Sequence, residues 1–404
     1  MPITRWNPGC SLLHTDGDAI QFSSELKARL MRILVIGGAG FIGGHLVDAL
    51  VEAGHGVRIL DSLDEQVHPS GTPPAYLNLR AEFVKGDIRN LDALRSSLVD
   101  AEAVYYLAGA VGVGDSMYRI RHYTDVNLLG CANLLELLAG SKLSLRKLVL
   151  SSSVTVYGEG KYDCPAHGNV FPSMRSLDRL ACRVWDPACP ISGCSENLAP
   201  LATDETKPTA PQSIYAITKR AQEDMLLAVG RAYNLPVAVL RYFNVYGSRQ
   251  AVSNPYTGVA KIFAVHIAER KRPQIYEDGQ QTRDFVHVSD VVRANLLALE
   301  NPRADGEIFN IGSGLPCSVL SLANHVAAKL GIPVSPDVTG KFRAGDVRQC
   351  FADITKARTL LGYEPRTLLP EGLENLLDRE TPKSGAAQLS AAADAELHQR
   401  GLLR

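Results

Sequence analysis

The stretch MRILVIGGAGFIGGHLVDAL, residues 31–50, constrains the fold of this chain more than any other. A short apolar, β-branched run at 32–36 is typical of a buried parallel strand. Three glycines follow at G-x-x-G-x-x-G spacing, and apolar residues then recur with helical periodicity. The residues concerned are Gly37, Gly40 and Gly43, then Phe41, Ile42, Leu46, Val47 and Leu50. We call residues 37–43 the glycine turn.

Each glycine in such a turn has its own task. One lets the chain turn sharply, one removes the Cβ that would block a pyrophosphate, and one lets the helix pack closely on the strand. The N-terminus of the helix offers free N–H groups to phosphate oxygens. Because a strand precedes this turn and a helix follows it, the sequence predicts a dinucleotide-binding unit rather than an ordinary strand-to-helix turn.

The composition limits the possible partners and the location. The 404 residues suggest two domains, or one large domain with additions. A net charge of −1 gives no electrostatic reason to expect nucleic acid or an anionic membrane as partner, and no apolar run reaches the length of a membrane span. Residues 1–30 lack the features of a secretory signal, and we expect a disordered or loosely attached extension, or an upstream start. Eight cysteines without an export signal indicate reduced thiols in the cytoplasm.

Strands and helices alternate after the glycine turn. Strands are predicted at 57–60, 82–85, 103–107, 147–150 and 237–240, with amphipathic helices among the intervening segments, including 123–139 and 213–233. This alternation predicts an α/β fold with a doubly wound parallel sheet, the Rossmann arrangement. We expect a dinucleotide-binding domain at 31–245 and a smaller α+β substrate domain at 246–380, which would include a strand at 308–311. The tail at 381–404 is expected to be a peripheral helix or disordered.

Several residues fall where the strands end, which is where doubly wound sheets bind ligands. Asp61 closes the second strand, about twenty residues after the glycine turn, where a carboxylate accepts hydrogen bonds from ribose hydroxyls and repels a 2′-phosphate. This position favours NAD over NADP. Asp87 is placed to meet the adenine amino group while Ile88 packs on the ring, although Asp87 could instead cap a helix. The small residues Ala108 and Gly109 follow the fourth strand, where the chain would pass under a cofactor.

Candidate catalytic residues follow the fifth strand. Tyr215 and Lys219 are four residues apart on a predicted helix, so they share one face. A nearby ammonium lowers the pKa of a phenol, and the positive charge of an oxidised nicotinamide would act in the same direction. Such a tyrosine could take a proton from a sugar hydroxyl while hydride leaves the same carbon, with Ser153 holding the oxygen.

A segment at 159–211 interrupts the alternation and is predicted to be an insertion. It contains Cys164, His167, Cys182, Cys189 and Cys194 among prolines and turn residues. A structural zinc ion would explain how a segment with few large apolar residues stays ordered. The spacings depart from tight C-x-x-C pairs, so unligated thiols in a surface loop remain an alternative, and no metal ligand is assigned.

Five motifs, read together, resemble one family. GGAGFIGG, SSSVTVYG, YAITK, RYFNVYG and RDFVHVSDVV occur in the order typical of extended short-chain dehydrogenases/reductases, in the group of NAD-dependent nucleotide-sugar epimerases and dehydratases. The resemblance covers about residues 31–375. It implies catalytic roles for Ser153, Tyr215 and Lys219. It also implies NAD as cofactor and a UDP or dTDP sugar as substrate.

The resemblance also implies ligand-binding residues. For the cofactor these are Gly37, Gly40, Phe41, Ile42, Gly43, Asp61, Asp87, Ile88, Leu107, Ala108, Gly109, Asn127, Ser151, Tyr215, Lys219 and Tyr242. For the substrate they are Ser153, Thr155, Asn244, Arg283, Arg343, Asp346 and Cys350. The arginines suit a diphosphate because a guanidinium pairs with phosphate oxygens in two places.

The residues after Ser153 bear on the reaction. Dehydratases and decarboxylases of this group carry an acidic residue there, whereas this chain reads Val154-Thr155-Val156 and so resembles the 4-epimerases. That resemblance implies that Tyr215 deprotonates the C4 hydroxyl, that hydride passes to NAD, and that it returns to the other face of a 4-keto sugar. A 4-ketoreductase or dehydrogenase on the same scaffold is the alternative. A non-catalytic NAD sensor or RNA binder is disfavoured by the intact catalytic residues.

This sequence departs from the family pattern at two places that bear on the choice of substrate. The insertion resembles a subgroup that acts on deoxysugar nucleotides such as dTDP-L-rhamnose. Cys350 falls at the family's pocket gatekeeper, which is often aromatic, and a small side chain there would admit a bulkier sugar. By resemblance, we also expect a homodimer through the helices at 123–139 and 213–233.

Overall fold

The computed structural model describes residues 30–140, 145–251, 253–254, 258–376 and 386–404. The predicted extension at 1–30 lies almost wholly outside the described residues, as does the start of the predicted tail. The strands are β1 (Arg32–Ile36), β2 (Gly56–Asp61), β3 (Glu82–Lys85), β4 (Ala103–Tyr106), β5 (Lys147–Ser153), β6 (Lys161–Cys164), β7 (Gly168–Val170), β8 (Ala199–Leu201), β9 (Val237–Tyr242), β10 (Asn244–Tyr246), β11 (Gln274–Ile275), β12 (Thr282–His287), β13 (Glu307–Ile311), β14 (Pro316–Ser318), β15 (Asp337–Val338) and β16 (Gln349–Cys350).

The helices follow the same chain order. They are α1 (Phe41–Glu52), α2 (Leu91–Ser97), α3 (Val113–Ser116), α4 (Ile120–Thr124), α5 (Gly130–Gly140), α6 (Leu177–Ala181), α7 (Ile214–Tyr233), α8 (Val259–Ala268), α9 (Val288–Glu300), α10 (Val319–Leu330), α11 (Thr355–Leu361), α12 (Leu369–Gly372) and α13 (Ala386–Gln399). Short 3₁₀ turns occupy Val154–Tyr157, Pro302–Ala304 and Leu373–Asn375, and a π-helical turn occupies Asp125–Leu129. No helix within these described ranges is long and apolar enough to cross a membrane.

A seven-stranded parallel sheet with the order β13-β9-β5-β4-β1-β2-β3 forms the centre of the fold. The predicted α/β doubly wound fold is confirmed. Successive strands run outward from β1 in both directions, β2 on one side and β4 on the other, so the strand order reverses there. A crevice opens at the carboxyl ends of the strands at such a reversal.

Helices cover both faces of this sheet, which explains why its strands are apolar on both sides. On one face α1 and α9 contribute Leu46 and Val291 to a buried cluster. On the other face α2, α5 and α7 contribute Leu94, Leu134 and Leu226 to a second cluster. These two layers of buried side chains hold the strands in place, and they therefore set the positions of the residues that follow the strand ends.

The strand predicted at 308–311 does not belong to the smaller domain. The structure makes it β13, the edge strand of the large sheet, with Phe309 opposite Leu240 of β9. Its side chains Phe309 and Ile311 are fully buried in the core of the large sheet. The helix α9 acts as the crossover that returns the chain to this sheet, so sequence proximity to the smaller domain gave the wrong assignment.

Two smaller sheets carry the substrate side and the insertion. In the first, the central strand β12 pairs with β14 on one side and with β10 and β16 on the other. The helices α8 and α10 contribute Phe263 and Leu322 to the buried cluster of this sheet. In the second, the insertion forms an antiparallel sheet in the order β7-β6-β8 with its own small core. The small core contains Tyr162, Cys164, Val170 and Cys189, with Cys194 and Leu198 packed against it.

Candidate active site

The glycine turn has the geometry of a phosphate cradle. A Cβ at Gly37, which has φ of +85°, would lie 2.6 Å from the backbone nitrogen of Ala108, and a Cβ at Gly43 would lie 2.1 Å from the Gly37 oxygen. Both positions therefore require glycine. At Gly40 the nearest atom to a Cβ would be 3.5 Å away, so this part of the turn is open. Asp61 fixes the turn by accepting a hydrogen bond from the Ala39 N–H at 3.0 Å.

A cleft of about 440 Å³ lies at the carboxyl ends of the large-sheet strands. Every predicted cofactor residue except Asn127 lines it, and so do Ser153, Thr155 and Asn244. The predicted NAD residues are therefore brought together around one cavity whose glycine-lined floor has room for a diphosphate. The open position at Gly40 and the N–H groups of the first turn of α1 fit the diphosphate of NAD.

Asn127 has a different position. Its side chain is fully buried in the π-helical turn, accepts a hydrogen bond from the Ala110 N–H at 2.8 Å and donates to the Thr218 hydroxyl at 2.9 Å. It therefore ties the strand-end loop at 108–110 to α7, and it does not line the cleft. The helix predicted to run continuously over 123–139 contains this π turn, and Asn127 is the buried residue of the turn.

The two predicted adenosine carboxylates differ in their surroundings. Burial raises the pKa of Asp61, and hydrogen bonds from the Leu63 and Ala39 N–H groups offset only part of that effect. The Asp87 carboxylate pairs with both ends of the Arg89 guanidinium at 2.9 and 2.6 Å, which lowers the pKa of Asp87. Asp87 therefore has part of its hydrogen-bonding capacity engaged by Arg89.

The three predicted catalytic residues meet in this cleft. Ser153 at the end of β5 accepts hydrogen bonds from the Thr155 N–H at 3.2 Å and the Thr155 hydroxyl at 3.0 Å. The predicted helix at 213–233 is confirmed as α7, whose first turn is capped by Ser213 and carries Tyr215. Lys219, one turn further on, donates to the Ser151 carbonyl oxygen at 2.9 Å.

The electrostatic surroundings of the pair work against ionisation of the phenol in the protein alone. Burial raises the pKa of Tyr215 to about 12, and its hydrogen bond with Ser153 lowers the pKa by less. Burial also lowers the pKa of Lys219 to about 8. The lowering of the Tyr215 pKa expected from Lys219 is not found in the protein alone, where burial raises the pKa and only Ser153 opposes it. An added positive charge beside the phenol would lower its pKa.

A second cavity, of about 1240 Å³, adjoins the first and shares Asn244 with it. Arg283, Arg343 and Asp346, all predicted to bind substrate, line this second cavity. Arg283 donates to the Asp346 carboxylate at 2.9 Å and to the Val347 carbonyl at 2.7 Å. The Oδ1 atom of Asn244 is buried without a hydrogen-bond partner. It could therefore accept a hydrogen bond from a donor group of a bound ligand.

The tail also reaches this cavity: it forms a helix, one of the two predicted alternatives, but that helix lines the cavity instead of lying at the periphery. Helix α13 lines it, and its Asp394 accepts a hydrogen bond from Arg343 at 3.1 Å. The last residues pair with the Arg343 segment, where the Phe342 N–H donates to the Arg404 carbonyl at 2.8 Å. The Arg343 guanidinium also lies over the Tyr276 ring. No local pattern in the sequence predicts these contacts, because they join positions about fifty or more residues apart.

Cys350 does not lie on the wall of either cavity. It is buried on β16, opposite Arg283 of β12, and its thiol points toward the Thr203 hydroxyl at 3.9 Å. This geometry does not support its predicted role as a gatekeeper of the sugar pocket. The nearby insertion residue Thr203 pairs with Ala352, so the insertion covers this strand from outside.

Sequence reasoning also missed a buried ion pair beneath the catalytic residues. Glu223 of α7 and Arg241 of β9 are both fully buried and pair through both carboxylate oxygens at 2.9 and 2.7 Å. The Ser152 hydroxyl donates to the same carboxylate at 2.5 Å. Arg241, the arginine of the RYFNVYG motif, thus connects the helix of Tyr215 to the strand ends.

Comparison with known proteins shows the family of this chain. The family model described as the NAD dependent epimerase/dehydratase family matches residues 33–173 and 192–312, and the gap between these ranges lies inside the insertion. The dTDP-L-rhamnose 4-epimerase of Burkholderia thailandensis is 34% identical over 358 residues, which cover 87% of this chain and 96% of that protein.

Solved structures show the same relationship. The UDP-glucose 4-epimerase of Thermotoga maritima, solved with UDP-glucose, has a TM-score of 0.70 and 33% identity, covering 86% of this chain and 97% of that one. The UDP-glucuronic acid 4-epimerase of Bacillus cereus, solved with UDP-glucuronic acid and NAD, has a TM-score of 0.68 and 30% identity, covering 86% of this chain and 98% of that one. The chain belongs to the NAD dependent epimerase/dehydratase family.

Proposed function

We propose that this chain is an NAD-dependent 4-epimerase of a nucleotide-diphosphate sugar. The observation that carries the proposal is the meeting of Ser153, Tyr215 and Lys219 in a glycine-floored cleft that opens into a cavity lined by two arginines. The named relatives and structural neighbours that are 4-epimerases support the same reaction. Bound NAD would supply the hydride acceptor and donor, and its positive charge would favour the Tyr215 phenolate.

Each site residue of this chain then has its own role in the proposed reaction. Tyr215 takes the proton from the C4 hydroxyl and returns it, as a general base and then a general acid. Ser153, oriented by Thr155, holds the reacting oxygen. Lys219 places a positive charge between the end of β5 and the loop at Gly109. A Cβ added at Gly109 would lie 3.6 Å from the Nζ atom of Lys219. Arg283 and Arg343 hold the diphosphate, and Asn244 receives a donor group at the junction of the cavities.

The test of this proposal is incubation of the purified protein with a panel of UDP and dTDP sugars, followed by NMR of the sugar C4 position. We expect one or more sugars to give a mixture of C4 epimers with no net change in NADH absorbance. A stoichiometric rise or fall of NADH, with one oxidised or reduced sugar, would instead establish the 4-ketoreductase or dehydrogenase alternative. The dTDP sugars enter the panel because of the Burkholderia relative, and the UDP sugars because of the Thermotoga and Bacillus structures.

A prediction about the nucleotide-sugar KM follows from the contact between Arg343 and Asp394. Arg343→Ala should raise KM about 10- to 100-fold, because a hydrogen bond to a charged group contributes about 1.5–3 kcal/mol. Asp394→Asn should lower KM by up to about fivefold, because it removes a competing carboxylate from a partly exposed pair. Glu396→Gln is the matched control on the same helix, since Glu396 pairs with Arg400. Equal KM values for all three variants would exclude Arg343 from the diphosphate site.

We also infer a homodimer and a cytoplasmic location. By family resemblance, we expect the dimer contact on the helices around 123–139 and 213–233. Large apolar side chains that are about half exposed on these elements support it: Ile120, Leu129 and Ile217. The cytoplasm is supported by the free cysteines, which persist as thiols in a reducing compartment.

A further inference from the structure

Four potential metal ligands of the insertion converge on one point. Cys164 ends β6 and His167 follows in the turn before β7, while Cys189 and Cys194 belong to the loop that precedes β8. The Sγ atom of Cys164 lies 3.4 Å from Nδ1 of His167 and 3.7 Å from Sγ of Cys194. The Sγ atom of Cys189 lies 3.7 Å from the same Nδ1 atom, and all four ligand atoms lie within 4.8 Å of one another.

The separations of 3.4, 3.7 and 3.7 Å match the edges of a tetrahedral zinc site. With Zn–S bonds of about 2.3 Å and Zn–N bonds of about 2.0–2.1 Å, neighbouring ligand atoms in a tetrahedron are roughly 3.5–3.8 Å apart. A disulfide requires sulfur atoms about 2.05 Å apart, so the Cys164 and Cys194 thiols as placed are not bonded. Thiolate and imidazole ligands without a carboxylate favour zinc over calcium or magnesium. We propose that Cys164, His167, Cys189 and Cys194 bind a structural zinc ion.

The small core of the insertion explains why a metal is needed there. Besides the ligand cysteines, this core contains only Tyr162, Val170 and Leu198 among the residues that the structure describes. So few apolar side chains bury too little area to offset the entropy of ordering about fifty residues. A metal that joins the turn after β6 to the loop before β8 supplies the missing cross-link. Because the protein fills all four positions, the ion has no open site for catalysis.

The ordered insertion in turn holds the substrate-binding segment. Glu159 accepts hydrogen bonds from the Arg348 and Gln349 N–H groups at 2.9 and 2.8 Å, and the Tyr162 hydroxyl donates to the same carboxylate. Arg175 donates to the Asp346 carbonyl at 2.8 Å while it pairs with buried Glu277. The zinc therefore stabilises the strand and loop that position Asp346, a residue of the nucleotide-sugar cavity.

The experiment measures metal in the full chain, purified without a histidine tag and without chelators. Elemental analysis of the wild type should give about one zinc ion per chain. Cys194→Ser and Cys164→Ser should lose it, whereas Cys182→Ser, the matched control, should keep it because Cys182 is an exposed cysteine outside the cluster. If the first two variants do not fold, titration of the wild type with a mercurial should release the ion as the thiols react.

Several results would overturn the proposal. They are a wild type with a negligible zinc content, an unchanged zinc content in soluble Cys194→Ser, or a Cys164–Cys194 disulfide found by mass spectrometry. A second readout rests on the proposed function. Zinc removal should lower kcat/KM for the nucleotide sugar by roughly 10- to 100-fold through a displaced Asp346 segment, with the affinity for NAD unchanged. The metal content tests the site even if the sugar reaction proves different.

Discussion

Tyr215→Phe is expected to lower kcat by about 10³-fold, within the range that general acid–base catalysis contributes. The phenylalanine keeps the ring, which packs edge-to-face on Tyr123 with centroids 6.4 Å apart, so the cleft should keep its shape. NAD should remain bound, because the glycine turn and Asp61 are untouched. Turnover is measured by NMR of the sugar, and bound NAD by its release on denaturation.

Tyr123→Phe is the matched control for this prediction. It removes a buried hydroxyl that donates to Asp115 at 2.5 Å, but it keeps the ring that Tyr215 contacts. We expect kcat to stay within a few-fold of the wild type. If Tyr215→Phe retained full turnover, the proposed proton transfer would be wrong, and if both variants lost turnover equally, the ring packing rather than the Tyr215 hydroxyl would be responsible.

The pH dependence gives a second readout for Tyr215. Burial raises the pKa of this phenol to about 12 in the protein alone, so the phenolate fraction near neutrality is very small. The positive charge of bound NAD opposes that shift, and so we expect the Tyr215 pKa to be lower in the NAD-bound form. Ultraviolet difference titration of the two forms, with Tyr215→Phe as the reference, measures this change.

The glycine turn and the strand ends could be predicted from sequence because their signals are local. A strand, a glycine pattern and a helical period lie within twenty residues, and a parallel sheet brings its strand ends to one edge. The cleft lining follows directly, which is why the predicted cofactor residues other than Asn127 surround one cavity. Asn127 is the exception: it is the buried residue of a π-helical turn, which no periodicity signals, and it does not line the cleft.

The remaining differences arise from long-range pairing. The strand Glu307–Ile311 joins the large sheet through β9, about seventy residues earlier, and Asp394 reaches Arg343 from the tail. Such contacts depend on how whole helices and strands pack. The residues next to each partner in the sequence contain no pattern that depends on the contact. The sequence indicates that the cysteines of the insertion could bind a metal but does not assign the ligands, because these come from two turns that only the fold brings together.

Glu223→Gln is expected to lower the free energy of unfolding by about 3–5 kcal/mol, the cost of leaving a buried charge without its partner. The variant keeps the shape of the side chain but removes the charge that accepts hydrogen bonds from Nε and Nη2 of Arg241. Arg241 is 1% exposed and already has one buried nitrogen without a hydrogen-bond partner, so water cannot replace the lost carboxylate. Urea denaturation with saturating NAD measures the change.

Asp224→Asn provides the matched control, one residue further along α7. Asp224 pairs with Arg220 at 2.7 Å, but its side chain is 58% exposed, and such pairs contribute about 0–1 kcal/mol. The double variant Glu223→Leu with Arg241→Met should recover much of the loss, because apolar residues of similar volume can replace a buried pair. Equal stability of Glu223→Gln and Asp224→Asn would mean that the buried pair does not hold α7, and with it Tyr215, against the strand ends.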